Sequence, residues 1–183
     1  MKLCAFGLLS IVVVLSAADN NGYIKARGKP TGAGLFVDGK YIGPAGRFTV
    51  PEKYPLDAGE HTISLQDPRY EEYTTKVTIQ PKKTTKISYK LKPVTPAPPP
   101  YGRLRFGGGE KESFISVTAG DTSPVYINDK FYGFLDELNN VGGGLLLPPG
   151  TYTVKCSSPL FGDINQQVTI TANKVTVIGL KTR

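Results

Sequence analysis

Leu35-Phe36-Val37-Asp38-Gly39-Lys40-Tyr41-Ile42-Gly43 decides the fold, because 90 residues later the chain reads Val125-Tyr126-Ile127-Asn128-Asp129-Lys130-Phe131-Tyr132-Gly133. The flanking segments repeat as well. Residues 56–70 return as 147–161 and residues 77–79 return as 168–170, both at an offset of 91. Such constant spacing predicts two tandem copies of one small structural unit rather than one enzyme-sized core.

Apolar and polar residues alternate through both copies, for example along residues 86–91 and 151–156. This period of two is typical of strands with one face on a core and one in water. Asp38-Gly39 indicates a two-residue hairpin turn, because both central residues need positive φ. Asn128-Asp129 takes the same place in the second copy. We therefore predict an all-β protein of two small tandem β-sandwich domains, with one short helical turn at 136–140.

The start of the chain is typical of a targeting segment. Lys2 gives a positive start, residues 3–18 are almost wholly apolar, and Ser16-Ala17-Ala18 offers small residues for cleavage. We predict a signal peptide at 1–18 and an exported protein of the periplasm or cell surface. The alternative is an uncleaved anchor, which would be the chain's one route to a membrane. It is disfavoured because the apolar run is shorter than the about 20 residues of a spanning helix.

After the signal segment we predict a first domain at 19–92, a Pro-rich linker at 93–100 and a second domain at 101–183. The linker holds five prolines in eight residues, which favours extended polyproline II. It predicts a semi-rigid spacer that keeps the modules apart. Docking of the two repeats is the alternative, since units of roughly 70–80 residues are near the lower limit for a self-sufficient core.

The net charge of +7 is unevenly distributed. Residues 19–92 hold 13 Lys and Arg against 8 Asp and Glu, whereas residues 101–183 hold 8 against 7. Export argues against nucleic acid as a partner and favours an anionic wall polymer or lipid headgroups. Solubilising charge on exposed strand faces is the more frequent explanation of such an excess.

The residues Pro30-Thr31-Gly32-Ala33, Asp38-Gly39, Gly43, Gly59 and Pro68-Arg69-Tyr70 occur at spaced positions along the first copy. In this pattern, residues 23–92 resemble the PEGA domain family, with Thr31 in place of the family's Glu. The second copy keeps Gly133, Leu147, Gly150, Pro159 and Phe161 and resembles a divergent PEGA domain. The resemblance implies small β-sandwiches of envelope proteins, without catalytic residues.

The residues themselves offer no constellation for catalysis, a cofactor or a metal. His61 is the single histidine, and its strand pattern predicts a packing role. Cys156 aligns with Leu65, so we expect a buried, inert thiol. Asp38, Asp57, Glu60 and Asp67 lack the spacing of a calcium loop. Gly107-Gly108-Gly109-Glu110-Lys111 lacks the ending of a phosphate-binding loop. We predict a protein that is not an enzyme and has no catalytic, metal or cofactor residues.

The remaining candidates for a function are residues on the surface. We predict an interaction surface at Tyr41 and Ile42, next to the hairpin tip, and at Lys82, Lys83 and Lys86, at the opposite connection. The main hypothesis is an envelope-associated protein that contacts a surface protein, or another copy of itself, through sandwich edges or loops. The alternative is a wall-polymer or polysaccharide-binding module that uses the basic first domain and exposed tyrosines. The candidates for exposure are Tyr23, Tyr41, Tyr54, Tyr73 and Tyr101.

Overall fold

A computed structural model of the chain describes residues 20–49, 52–107, 120–139 and 143–181. The predicted signal peptide at 1–18 lies outside these ranges, as does most of the glycine-containing segment at 107–111. Within the described ranges, no helix has the length and apolar character needed to cross a bilayer.

The first domain consists of seven strands and one short 3-10 turn. They are β1 (Asn21–Lys29), β2 (Gly34–Val37), β3 (Lys40–Pro44), the turn Ala45–Phe48, β4 (Tyr54–Asp57), β5 (Gly59–Gln66), β6 (Tyr73–Ile79) and β7 (Thr84–Lys90). They form two sheets, a four-stranded one in the order β3-β2-β5-β6 and a three-stranded one in the order β4-β1-β7. In the three-stranded sheet, β1 is antiparallel to β4 and parallel to β7.

The second domain repeats this arrangement. Its elements are β8 (Gly102–Gly107), β9 (Pro124–Ile127), β10 (Lys130–Phe134), the helix α1 (Leu135–Asn139), β11 (Leu145–Leu147), β12 (Gly150–Ser158), β13 (Gly162–Ile170) and β14 (Val175–Gly179). The sheet orders β10-β9-β12-β13 and β11-β8-β14 match those of the first domain strand for strand. The short helix α1 falls where the sequence predicts one turn.

Each domain has its own apolar core between its two sheets. Ile63 and Leu65 are fully buried in the first core, and their counterparts Val154 and Cys156 are buried in the second. Burial of a side chain of this size stabilises by about 1.5–3 kcal/mol. Two separate cores within two repeated sheet pairs confirm the prediction of two small all-β domains.

The hairpin turns follow the sequence closely. Asp38 and Gly39 have φ of 50° and 79°, and Asn128 and Asp129 have φ of 49° and 62°. Positive φ at both central residues matches the turn twist to that of the strands. The side-chain oxygen of Asp38 accepts a bond from the Thr62 amide at 2.8 Å, and that of Asn128 accepts one from the Thr153 amide at 2.9 Å. Both turns are therefore tied to the neighbouring strand in the same way.

The prediction that the linker keeps the two domains apart is wrong. The domains meet through the equivalent hairpins β2-β3 and β9-β10, where the ring centroid of Phe131 lies 5.4 Å from those of Phe36 and Tyr41. Phe36 and Phe131 are only 4% and 2% exposed, although neither belongs to a domain core. The domains dock because each hairpin has an outward-facing aromatic residue outside its own core, and a ring of the other domain helps to cover it.

Two polar contacts accompany this aromatic cluster. The Tyr41 hydroxyl donates to the Thr122 carbonyl at 3.0 Å, and the Arg69 guanidinium lies 3.2 Å from Glu137 Oε1. A Cβ atom at Gly34 would lie 2.6 Å from Phe131 Cζ, so the first domain offers a flat surface where the second places a ring. The linker itself begins along the first domain, since the Val94 amide donates to the Arg69 carbonyl.

Candidate interaction surfaces

The structure separates the two halves of the predicted interaction surface. Tyr41 lies on β3 within the aromatic cluster between the domains, and burial raises its pKa. Ile42 is half-buried and packs against the first core. The Tyr41–Ile42 half therefore serves contacts inside this chain.

The three lysines of the predicted surface remain exposed, and Lys86 leads to a larger feature. Lys82 and Lys83 lie at the turn between β6 and β7, whereas Lys86 lies on the outer face of β7. Parallel pairing places Lys86 directly beside Lys25 of β1, and places Lys90 beside Lys29. We call Lys25, Arg27, Lys29, Lys86 and Lys90 the cationic face.

Three members of the cationic face were absent from the sequence-based prediction. Lys25, Arg27 and Lys29 alternate along β1 with the buried Ile24 and Ala26. This period of two was a readable sign that the three cations share one face. Their proximity to Lys86 was not readable, because it depends on a parallel pairing between strands about 60 residues apart in sequence.

The exposed tyrosines of the polysaccharide hypothesis are a second correction, because all five are half-buried. Tyr54 and Tyr73 pack against the first core, and Tyr41 joins the interdomain cluster. The Lys53 ammonium covers the ring of Tyr23 at 3.5 Å from the centroid, and the Tyr101 hydroxyl bonds to the Ala97 carbonyl. Sandwich rims bury such amphipathic rings and leave only their polar tips in water.

The last strands of the two domains differ in their outward residues. Strand β14 is an edge strand, paired only with β8 among the described residues. Its outward side chains Val175 and Val177 are 56% and 54% exposed. The counterpart of Val177 in the first domain is Lys86. Edge strands are commonly protected from pairing with other chains by lysine, so β7 has this protection and β14 does not.

His61 occupies the margin of the first domain rather than a catalytic centre. Its Nδ1 atom lies 2.7 Å from Asp38 Oδ2, and its Nε2 atom lies 3.0 Å from the Asp57 carbonyl oxygen. The hydrogen bond with Asp38 raises the pKa of His61, and the same bond lowers the pKa of Asp38. Both ring nitrogens are therefore engaged in structural hydrogen bonds, one to the hairpin and one to the end of β4, in line with the expected structural role.

Cys156 does not offer a reactive thiol either. Cys156 is buried as expected, and burial raises the pKa of its thiol to about 12. A thiol with so high a pKa is a poor nucleophile at neutral pH. Across the part of the chain that the structure describes, no group of three or more His, Cys, Asp or Glu side chains could hold a metal ion.

Two repeated pairs of sheets, each with its own apolar core, define a class of protein, the tandem β-sandwich module. The chain belongs to the PEGA domain family, whose model matches residues 22–95 and 115–183. PEGA domains are non-enzymatic modules and occur in exported proteins. The second match begins after β8, yet β8 pairs with both β11 and β14 and completes the second domain.

Other comparisons add little. Among curated proteins, none matches the chain. Among solved structures, the Bacillus anthracis TIE protein is similar at 16% identity over 89% of this chain, with a TM-score of 0.27. This chain spans 34% of that protein's length. A likeness this weak carries no argument about fold or function.

Proposed function

We propose that the protein is an exported, non-catalytic interaction protein of the cell envelope, which contacts a protein partner through the edge strand β14. The observation that carries this proposal is the uncharged, exposed surface of that strand. Val175 and Val177 project outward from it, and no residue from Val175 to Gly179 is charged. An uncharged edge strand is a natural template for another chain's strand.

The backbone of β14 supports the same proposal. The Lys174 carbonyl accepts a bond from the Arg103 amide at 2.8 Å, and the Leu180 amide donates to the Gly107 carbonyl at 2.9 Å. The even-numbered residues thus turn their backbone toward β8. Because backbone direction alternates along a strand, Val175, Val177 and Gly179 direct their N–H and C=O groups toward the outer edge.

Replacing Val177 with Lys tests this proposal, because it gives β14 the residue that β7 has. The partner is a strand of another protein or of a second copy. We expect Val177→Lys to abolish association measured by sedimentation over a wide concentration range, and capture of envelope proteins by cross-linking. Leu160→Lys is the matched control, since Leu160 is 52% exposed but lies in a turn. A wild-type protein that is monomeric and captures no protein would refute the proposal.

A second candidate function is binding to an anionic wall polymer, and the cationic face favours it. None of its five cations forms an ion pair with a carboxylate among the residues that the structure describes. Retention on purified wall material at low salt, and release as salt rises, is the expected result, because screening weakens exposed charge pairs. No retention at low salt would exclude this candidate.

The location in the envelope is part of the proposal. Fractionation of cells, followed by washing of the envelope pellet with rising salt, distinguishes the two candidates. Release at moderate salt supports attachment through charge, whereas retention at high salt supports a protein partner or the uncleaved anchor. Protein found free in the medium would contradict both.

A further inference from the structure

We infer that the cationic face is the polymer-binding site, and that it takes an extended polyanion lying along β1 and β7. The inference rests on the second candidate function and adds its site and the shape of its ligand. It does not depend on strand β14, which lies in the other domain.

The cationic face is a regular ladder on one side of the sheet. Ile24, Ala26 and Ile87 point into the core, so the residues between them project outward. Lys25 is paired in register with Lys86, and Lys29 with Lys90, while Arg27 lies between these two pairs. Cations two residues apart on a strand are separated by about 7 Å, and neighbouring strands by about 5 Å. The ladder is thus about 13 Å long and two strands wide.

This ladder leaves positive charges opposed to one another. Like charges that face each other across neighbouring strands destabilise a sheet, and the pairs Lys25–Lys86 and Lys29–Lys90 are both of this kind. Some exposed cations elsewhere in the described chain do have carboxylate partners, such as Lys76 with Glu60 at 3.0 Å and Lys155 with Asp129 at 2.6 Å. An anion placed over the ladder would replace repulsion with attraction.

Protection of a sheet edge explains only part of this pattern. Lys86 and Lys90 lie on β7, which is an edge strand, so edge protection accounts for them. Strand β1 is the central strand of its sheet, between β4 and β7, and has no free edge to protect. Edge protection therefore does not account for Lys25, Arg27 and Lys29. An anionic ligand would account for their place beside Lys86 and Lys90, in addition to any solubilising role.

The shape of the face favours a linear chain over a bilayer. Proteins that lie on a bilayer commonly insert apolar or aromatic side chains beside their cations. The outward residues of β1 and β7 include no apolar side chain, and their one aromatic ring, Tyr23, is covered by Lys53. Ammonium and guanidinium groups bind phosphate and carboxylate alike, so a chain with either group in series fits the ladder.

The test uses the full chain after residue 18 and two defined polymers, inorganic polyphosphate and polygalacturonate. Vesicles of phosphatidylglycerol form the membrane arm. The face variant combines Lys25→Gln, Lys29→Gln, Lys86→Gln and Lys90→Gln. The matched control combines Lys40→Gln, Lys130→Gln, Lys174→Gln and Lys181→Gln, which removes the same charge from exposed sites elsewhere. We expect the face variant to lose about tenfold or more in affinity for a polymer, and the control about threefold or less.

A second variant guards against loss of folding. Arginine at the same four positions keeps the charge, so we expect it to bind the polymer as the wild type does. The assigned site is wrong if the two glutamine variants lose affinity equally, because attraction by the net charge of the protein would then explain the binding. It is also wrong if the arginine variant loses binding, if neither polymer binds, or if vesicles alone bind. Binding to both polymers, or to one, identifies the anionic group.

Failure of this inference can be separated from failure of the second candidate function. If the wild type and the face variant are retained equally on wall material, polymer binding is supported but the assigned site is refuted. If no wall material retains the wild type, the candidate function falls whatever the defined polymers show. Val177→Lys should leave polymer binding unchanged, because Val177 is outside the face.

Discussion

The two domains have equivalent cores but different surfaces. Ile87 and Ile178 are counterparts and are 4% and 1% exposed. One residue before them along the strand, the first domain has Lys86 and the second has Val177. The inward position must fit a packed interior, whereas the outward position is free to diverge. The pair of domains therefore teaches that one scaffold can present a charged surface in one copy and an apolar edge in the other.

A second difference concerns charge that depends on pH. In the first domain His61 bonds to the Asp57 carbonyl, and in the second its counterpart Tyr152 donates to the Pro148 carbonyl at 2.9 Å. The turn residues Asp38 and Asn128 bond the neighbouring strand alike. The same geometry is thus built with an ion pair in one domain and with neutral groups in the other.

The largest expected effect comes from breaking the contact between the domains. Phe131→Ala removes the ring that Phe36 and Tyr41 contact. Loss of a buried phenylalanine commonly costs about 3–5 kcal/mol, and here the loss should appear as undocking, because Phe131 is outside the second core. We expect small-angle scattering to report a larger radius of gyration with both domains still folded.

Leu160→Ala is the control for this change. Leu160 is exposed, and its removal should alter stability by less than about 0.5 kcal/mol. An unchanged radius for Phe131→Ala would mean that other contacts hold the domains together.

A smaller effect is expected from making the first hairpin resemble the second. Asp38→Asn with His61→Tyr replaces the ion pair with the neutral residues of the other domain. The raised pKa of His61 means that its contribution to stability is present below about 6.5 and lost as pH rises through the raised value. The lowered pKa of Asp38 means that its contribution is present above about 3.8 and lost as pH falls through the lowered value.

Both partners are therefore charged, and the ion pair is fully formed, between the lowered pKa of Asp38 and the raised pKa of His61. We expect the difference in unfolding free energy, wild type minus variant, to be larger at about pH 5 than at about pH 8. The increase should be up to about 1 kcal/mol, as for a partly exposed pair. Urea unfolding of both proteins at each pH measures this difference. The single imidazole signal in an NMR titration provides the check, because a His61 pKa at or below 6.5 would contradict the ion pair.

The smallest effect is expected at the polar rim of the domain contact. Glu137→Gln removes the charge that faces Arg69, but Arg69 keeps its shorter bond to the buried Asp67 at 2.7 Å. The loss in unfolding free energy should be about 0.5 kcal/mol, as for exposed pairs. Glu71→Gln is the control, because Glu71 is an exposed carboxylate that forms no ion pair within the part of the chain that the structure describes. A loss as large as that of Phe131→Ala would show that charge rather than aromatic packing holds the domains.

Much of each domain was readable from local patterns. Asp38-Gly39 and Asn128-Asp129 revealed the turns, because few residues adopt positive φ at low cost. Alternation located Cys156 in the core, because side chains of a strand alternate between two faces. The cationic face was only partly readable, since Lys86 lies beside Lys25 through a parallel pairing that no local pattern encodes.

The sequence by itself determined the two repeated units, their hairpins and their cores, because these depend on backbone preference and on a period of two. Tertiary structure alone decided that Phe36 and Phe131 are buried against each other, and that the cations of β1 and β7 share one ladder. Both outcomes depend on contacts between residues far apart in the chain. Such contacts are set by how finished sheets and domains pack, and a strand's own residues do not specify which distant surface will cover them.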